Sequence, residues 1–399
     1  MIRQDLKQLR QSMGPRRFYE CLQNLLESKE LKPDDFSIRQ LWEACVGPTA
    51  QTLPTLAARQ RVYVSEIDQL GDNLSEADLG INLFQTVTGA VIARRVMDAY
   101  DQTAGIGDQL VTIERSSVRN ERIPGFTALQ GPKEVKEGSP YEESSFGDKY
   151  VSTVESKKGR LLSITEEAVH FDQTNELLRR AARLGEATRM EREKTIVRGV
   201  ADADYNATTG TGVYRPSGTL TSLYQSDATL RNVIGTSNPF DDFDAAVPLA
   251  DWTSLATPLK FHALYVKDDR HAPDDGEPLA WQPRILLVPK SLEIKALQIV
   301  NATLVPATSG GTAFGGNPLR GAFTVLASPH LDQLSTIDWY LGDFARQFIW
   351  KEIWPVQVFR QASTEGDNFD RDVVARFKVR YFGGINALDH RFVMKMEGE

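Results

Sequence analysis

The chain, 399 residues long, predicts an α+β fold, and three observations carry that prediction. Within Ala375 to Tyr381, apolar Ala375, Phe377, Val379 and Tyr381 alternate with basic Arg376, Lys378 and Arg380. A period of two is the mark of a half-buried strand. A stretch from about residue 174 to 199 carries one narrow apolar stripe: Leu177, Leu178, Ala181, Ala182, Gly185 and Thr188. That spacing belongs to a long helix resting on a single surface. Between them, Arg284 to Val288 and Phe323 to Leu326 read as short strands. They flank a helix with Leu292, Ala296, Ile299 and Val300 on one face.

The elements follow in chain order. Residues 1 to about 80 read as helical, with Phe18, Leu22, Leu25 and Leu26 at helical spacing. A second helix opens at Asp34, buries Leu41, Trp42 and Cys45, and stops at Gly47-Pro48. Leu83 to Tyr100 is a third helix, with Val91, Ile92, Val96 and Ala99 on one side. From about 124 to 166, Pro124-Gly125, Gly131-Pro132, Gly138 and Gly147 punctuate a stretch dense in Lys and Glu. It holds too few large apolar residues for a core of its own. Tyr150, Val151, Val154 and then Leu161, Leu162, Ile164 read as a hairpin across Lys157-Lys158-Gly159 at its root. Asp172 or Thr174 is placed to cap the long helix and Gly199 to end it. Arg179, Arg180, Arg183, Arg189 and Arg192, with Glu176, Glu186, Glu191 and Glu193, are assigned to its other face, wet or against a neighbouring chain. Further on, Pro289 ends a strand and Ser291 caps the next helix. Gly310-Gly311 and Gly315-Gly316 bracket a loop. Gly383-Gly384 breaks the closing strand, and Phe392, Met394 and Met396 begin another.

The net charge of −8 argues against a protein that grips nucleic acid through a broad basic surface. It leaves room for a container that surrounds it. Cys21 and Cys45, the only cysteines, make no disulfide framework and no zinc spacing, and a reduced, cytosolic setting is expected. The N-terminus lacks the apolar segment of a signal peptide. The best candidate membrane span, Leu79 to Val96, is interrupted by Asn82, Gln85, Arg94 and Arg95, so no transmembrane helix is expected.

Fingerprints of catalysis do not appear: there is no GxxxxGK[ST], no GxSxG and no HExxH. Gly311 to Gly315 lies in a glycine-rich turn without a phosphate fingerprint. His262 and His271 flank Asp268 and Asp269, with Asp274 and Asp275 beyond. Without the spaced ligands of a calcium loop they read as a solvated acidic segment. Glu166-Glu167 reads as a pair of acids favouring a helix start. No catalytic residue, cofactor or metal is expected, and the chain is read as a non-enzyme.

Order and spacing over roughly residues 80 to 399 resemble the tailed-phage major capsid proteins, the HK97-like family. The resemblance is carried by Ser163-Ile164-Thr165-Glu166-Glu167 leading into His170-Phe171-Asp172, by Val200-Ala201-Asp202, and by the turn from Thr208 to Gly212. Leu287-Val288-Pro289-Lys290-Ser291-Leu292, Gly342-Asp343-Phe344 and the closing strands complete it. It implies an HK97-like capsid fold divided into a helical N-terminal extension at 1–80, scaffold-like or retained, and an N-terminal arm and helix at 81–123. An extended E-loop follows at 124–166, a P-domain with its spine helix at 167–204 and 346–399, and an α/β A-domain at 205–345. It implies self-assembly into pentamers and hexamers of an icosahedral head, made in the host bacterial cytoplasm. The implied partners are portal and scaffold or decoration proteins and enclosed double-stranded DNA without sequence-specific binding, with no membrane.

The intersubunit contacts it implies are Lys133, Lys136, Tyr141, Lys149, Lys157 and Lys158 in the E-loop. Arg179, Arg183 and Gly185 are implied on the spine helix, and Arg376, Lys378 and Arg380 on the closing strand. Gly185 is expected to mark a close contact with the P-domain sheet or a neighbouring E-loop. Aligning Asp367-Asn368-Phe369 with the family puts Asp372 at the asparagine position of its cross-linking chemistry and Val379 at the glutamate position. No autocatalytic isopeptide bond is therefore expected. An encapsulin-like compartment shell is the alternative, and a soluble hydrolase a remote one.

Overall fold

The computed structural model describes residues 91–124, 150–165, 176–225, 230, 232–235, 245–264, 282–306, 314–362 and 373–398, with residues 21, 24, 25 and 28 of a helical turn. The chain forms two compact units. The first gathers Met1–Ala104, Lys158–Met190 and Val356–Tyr381; the second gathers Gly105–Lys157, Glu191–Pro355 and Phe382–Glu399. Helix α1 spans 91–102. Strands β1 (Thr112–Arg115), β2 (Arg122–Pro124), β3 (Tyr150–Ser152) and β4 (Ser156–Thr165) precede the long helix α2 (Glu176–Val200). After β5 (Val233–Ile234) come α3 (Ala256–Leu264), β6 (Ile285–Pro289), α4 (Glu293–Asn301), β7 (Leu304–Pro306), β8 (Phe314–Gly316) and β9 (Thr324–Ser328). The chain closes with β10 (Trp339–Gly342), β11 (Phe348–Ala362), β12 (Val373–Ala387) and β13 (Val393–Met396).

One sheet has the order β1-β11-β12-β4 and another β5-β13-β10-β6-β9; β2-β3 and β7-β8 are two-stranded ribbons. In the five-stranded sheet β6 runs parallel to β9 and antiparallel to β10. The parallel pair needs a crossover, and α4 supplies it. Leu286, Leu287 and Val288 are fully buried, because a strand covered on both faces carries a continuous apolar run rather than an alternation. Ala296, Ile299 and Val300 of α4 close over this core with Phe261, Trp339 and Leu341. The Trp339 indole N–H donates to the Val247 carbonyl at 2.8 Å, so the largest core side chain has no orphaned donor.

In the first unit, α1 buries Val91, Ile92, Val96 and Ala99, as its spacing predicts. Gly185 of α2 packs onto it: a Cβ there would overlap the Val96 carbonyl oxygen and stand 3.1 Å from the Tyr100 amide nitrogen. Within the chain, the partner of this close approach is α1 rather than the sheet. Phe377 and Val379 are buried and Lys378 is exposed, the predicted alternation. An apolar Val379 supplies no acid at that position, and Asp372 lies outside the described residues.

Several expectations are corrected. The chain does not turn at Lys157-Lys158-Gly159; β4 runs straight through these residues. The root of the 125–149 excursion is closed instead by β2 pairing antiparallel with β3. Gly199 does not end α2. It is the last residue but one, where a Cβ would overlap Ile385. Asp202, at φ 51°, makes the stop. The amide of Asp202 donates to the Gly199 carbonyl at 3.0 Å and that of Ala203 to the Arg198 carbonyl at 3.0 Å, the paired bonds of a left-handed helix end. The proposed caps Asp172 and Thr174 lie outside the described residues.

Ser291 does not cap α4, which has no side-chain cap. Asp332 reaches in from elsewhere and accepts from the amides of Lys290 and Ser291 at 2.7 and 3.0 Å. Gly315 and Gly316, expected to bracket a loop, lie in β8; Gly310 and Gly311 lie outside the described residues. Gly383-Gly384 does not break β12. A side chain at Gly383 would meet the Lys351 carbonyl at 2.7 Å and the Trp350 ring at 3.1 Å, so the glycines admit close neighbours to an unbroken strand. The predicted helices of residues 1–80 lie outside the described residues, apart from a turn in which the Ser28 amide donates to the Asn24 carbonyl at 2.8 Å. Cys21 carries a free thiol; Cys45 is outside the described set.

His262 is buried in α3, its Nε2 placed 3.3 Å from the Leu341 carbonyl. Burial pushes its pKa down to about 3, against the opposing pull of that carbonyl. The unfolded chain takes up this proton below about pH 6.5 and the folded one only near pH 3. Stability from the neutral ring is therefore present above pH 6.5 and lost as pH falls toward 3. Asp202 acts oppositely. Burial raises its carboxyl to about 6, against the bond from the Leu223 amide. Its contribution is full below the unfolded value and lost as pH rises through 6. In urea melts, wild type is expected to lose stability between pH 6 and 4 relative to His262→Asn. Parallel pH profiles for the two proteins would contradict the buried neutral ring.

Candidate assembly interface

Strands β2 and β3, on either side of residues 125–149, are held by several contacts. Arg122 lies over the Tyr150 ring at 4.8 Å. The Tyr150 hydroxyl donates to the Ser217 carbonyl at 3.1 Å, and the Ser217 amide returns a bond of 2.7 Å to the Tyr150 carbonyl. Just before β2, the Lys351 ammonium, 1% exposed, lies 2.5 Å from Glu121 and 3.6 Å from Glu114. The Lys351 ammonium and then the Ser116 hydroxyl hold the Glu121 carboxyl below the usual carboxylate range. Beyond β3, the Val154 amide donates to Asn386 at 2.8 Å, and buried Glu155 accepts from the Asn120 amide at 3.0 Å. Of these charges only the Lys351 ammonium and Glu155 are buried; held by partners from distant parts of the chain, they fix geometry more than they add net stability.

Lys133, Lys136, Tyr141 and Lys149 lie outside the described residues. Lys157 is exposed and sits 5.6 Å from the centre of the Trp354 ring. Trp354 in turn meets Phe382 edge-on at 5.4 Å, and Arg119 lies 5.9 Å from that ring. Lys158 is half-buried. Arg179 and Arg183 are exposed on α2, as expected. Gly185 is buried against α1 of its own chain. Lys378 is exposed, Arg376 and Arg380 half-buried. Lys378 and Arg380 lie over the Phe359 ring at 5.5 and 4.2 Å. Cations stacked on rings are ordered rather than loosely solvated, at roughly 0.5–1 kcal/mol each where exposed. Sequence reasoning named these cations but not Phe359 or Trp354, since the ring beneath a cation comes from another strand.

It also missed the roles of Arg192 and Glu193, which it placed on the face of α2 left to solvent or a neighbouring chain. Arg192 is buried, pairs with Asp108 at 3.0 Å and lies over Trp350 at 5.2 Å. Glu193 accepts from the amides of Ile106 and Gly107 at 2.9 and 2.8 Å. A signal existed in Gly105 to Leu110, a turn whose free amides need an acceptor, but nothing local names that acceptor. His262, read together with the solvated acidic segment at 268–275, instead faces the core; His271 and the aspartates between them lie outside the described residues. Among the described residues no group of His, Cys, Asp and Glu is placed to hold a metal ion, and no helix is long and apolar enough to cross a membrane.

The family model for phage capsid protein matches residues 149–396, well over half of the chain. No curated protein matches it by sequence. Among solved structures it is similar to the virus-like particle of Pyrococcus furiosus, at 11% identity and a TM-score of 0.42, over 78% of this chain and 99% of that one. It is similar to a protein of Mycobacterium phage Adephagia at 13% identity and a TM-score of 0.47, over 74% and 90%. It is also similar to the capsid of a native GTA particle at 10% identity and a TM-score of 0.45, over 74% and 91%. The extent of the family match decides the assignment: the chain belongs to the phage capsid proteins, as a shell-forming major capsid protein with the HK97-like α+β fold.

Proposed function

We propose that this capsid protein builds the icosahedral head of a tailed double-stranded DNA phage, assembled as pentamers and hexamers in the cytoplasm of the host bacterium. Its further partners are portal and scaffold or decoration proteins, and it encloses DNA without sequence-specific binding. Its work is assembly, not catalysis. The observation that carries this reading is the held root of the 125–149 excursion, together with the family match. Residues 125–149 hold too few large apolar residues for a core of their own, and a segment of that kind gains order by lying on an adjacent copy. The division in the proposal is an extension at 1–80, an arm at 81–123, an E-loop at 124–166, a P-domain at 167–204 and 346–399, and an A-domain at 205–345. Lys133, Lys136, Tyr141, Lys149, Lys157 and Lys158 then contact the next subunit from the E-loop. Arg179, Arg183, Arg376, Lys378 and Arg380 meet its acidic side chains. An encapsulin-like shell is not favoured, because the matching family is that of phage capsids.

Negative-stain microscopy of the purified chain is expected to show rings or closed shells. A monomer across wide ranges of concentration and salt, by light scattering, would count heavily against the proposal. Deleting Gly131 to Gly147 is expected to abolish particles while circular dichroism and cooperative melting persist. Normal particles from that deletion would sink the role assigned to the excursion. Boiled in detergent, particles are expected to run as single chains, since Val379 supplies no acid for cross-linking.

A further inference from the structure

Among the described residues, the three most exposed large apolar side chains lie on one excursion of the second unit. Ile294 is 70%, Phe314 69% and Leu304 62% exposed. Leu304 and Phe314 belong to the ribbon β7-β8, where Leu304 stands opposite Gly316, Val305 opposite Gly315 and Pro306 opposite Phe314. Side chains two apart share a face. Leu304 and Phe314 therefore lie on one exposed apolar face, while Val305 on the other is buried. Gly316 adds no side chain to that exposed face, and a Cβ there would meet nothing within 4 Å. A lone two-stranded ribbon is marginal in water without something packed on it.

The ribbon does not hang loose. The Asn317 side-chain amide donates to the carbonyls of Ile299 and Ala302 at 2.7 and 3.0 Å, and the Asn317 amide to Thr303 at 3.1 Å. These bonds fasten its base to the C-terminal end of α4. At the other end of α4, Ile294 and half-exposed Leu297 lie one turn apart on the helix face that points away from the core. The rise from Ile294 to Asn301 is about 10 Å. One rigid element thus carries an apolar knob at one end and an apolar seat at the other.

We infer that the Leu304–Phe314 face of the ribbon seats on the Ile294–Leu297 face of α4 in the next copy of this chain, head to tail around a capsomer. The inference rests on the capsid reading, which makes further copies of the chain the obligate neighbours. A knob that seats on the next copy leaves one knob and one seat still free on each pair, so the contact propagates head to tail and closes into a ring, whereas a two-fold pairing of the same patches would stop at a dimer. Apolar side chains grouped and exposed in this way, rather than scattered singly, mark surface for association.

The test is a double variant, Ile294→Cys with Phe314→Cys, assembled and then oxidised. Without reductant, particles are expected to run as a ladder climbing to five or six chains, collapsing to single chains with reductant. Each single variant and the unmodified chain, with Cys21 and Cys45 as background, are expected to show no ladder. Particles that form without a ladder would overturn the inference and leave the capsid reading standing. Dimers from a single variant would overturn it too, by showing a two-fold contact. No particles from the unmodified chain would remove both. Independently, Phe314→Asp is expected to lower particle yield by about tenfold or more with an unchanged melting temperature, because the ring is exposed in the single chain. An undiminished yield would overturn the contact.

Discussion

Gly185→Ala is expected to lower the melting temperature of the chain, although alanine is the better helix former by about 1 kcal/mol. The reversal of sign comes from packing. Helices α1 and α2 meet backbone to backbone at this point, and the added Cβ would overlap the Val96 carbonyl oxygen. That oxygen is main chain of a buried helix, so it cannot swing aside as a flexible side chain would. Gly185→Leu is expected to be worse, costing roughly 1–3 kcal/mol through overpacking and reducing particle yield with it. Glu186→Ala, next along α2 on an exposed position, serves as the control and should change little. A melting temperature for Gly185→Ala equal to or above wild type would remove the close contact.

Asp389→Ala is expected to be among the most damaging single substitutions. Asp389 and Arg391 are 5% and 4% exposed at the side chain. The Arg391 Nε donates to both carboxylate oxygens at 3.0 and 3.1 Å, and Nη2 adds a bond of 2.6 Å. The same carboxylate accepts from the amides of His390 and Arg391 at 2.7 and 3.1 Å. Removing it strips a buried guanidinium of its counter-charge and two amides of their acceptor, at roughly 3–5 kcal/mol. The double variant Asp389→Ala with Arg391→Met is expected to recover much of the loss, since it leaves no buried charge. Chemical denaturation decides: a single-variant loss below about 1 kcal/mol, the scale of a surface pair, would show that the pair is not confined as described. The turn that it braces joins β12 to β13, and the Gln347 side chain accepts from Phe392 and Val393 at 2.9 and 2.8 Å to finish the corner.

Much of the fold is legible in the sequence where the signal is a local period. The alternation of Phe377, Lys378 and Val379, the stripe of Val91, Ile92, Val96 and Ala99 and the apolar run of β6 all follow from residues within one element. Burial on one face, one stripe or both faces imprints a distinct spacing. The candidate assembly surface is only partly legible. Arg376, Lys378 and Arg380 are visible as a basic face, but Phe359 beneath two of them is not, because cross-strand neighbours are set by register.

The errors share a cause. Glycine pairs such as Gly383-Gly384 and the segment Lys157-Lys158-Gly159 read as turns because glycine is the usual residue of turns. Here Gly383 makes room for Trp350 and the Lys351 carbonyl inside a strand, and the sequence does not separate the two uses. Arg192 and Glu193 read as facing solvent or a neighbouring chain because charges usually lie outside the core. They are drawn inward by Asp108 and by the free amides of Ile106 and Gly107, more than eighty residues away in the chain. By itself the sequence determined the α+β class, the long helix, the core-facing positions of α1 and α4 and the family resemblance, because each rests on a local period or on the order of motifs along the chain. Only the tertiary structure decided where α2 stops, what Gly185 touches, which strands close the base of the 125–149 excursion and which charges are buried. Those outcomes depend on partners brought together from distant parts of the chain, and no spacing within an element encodes the identity of its partner.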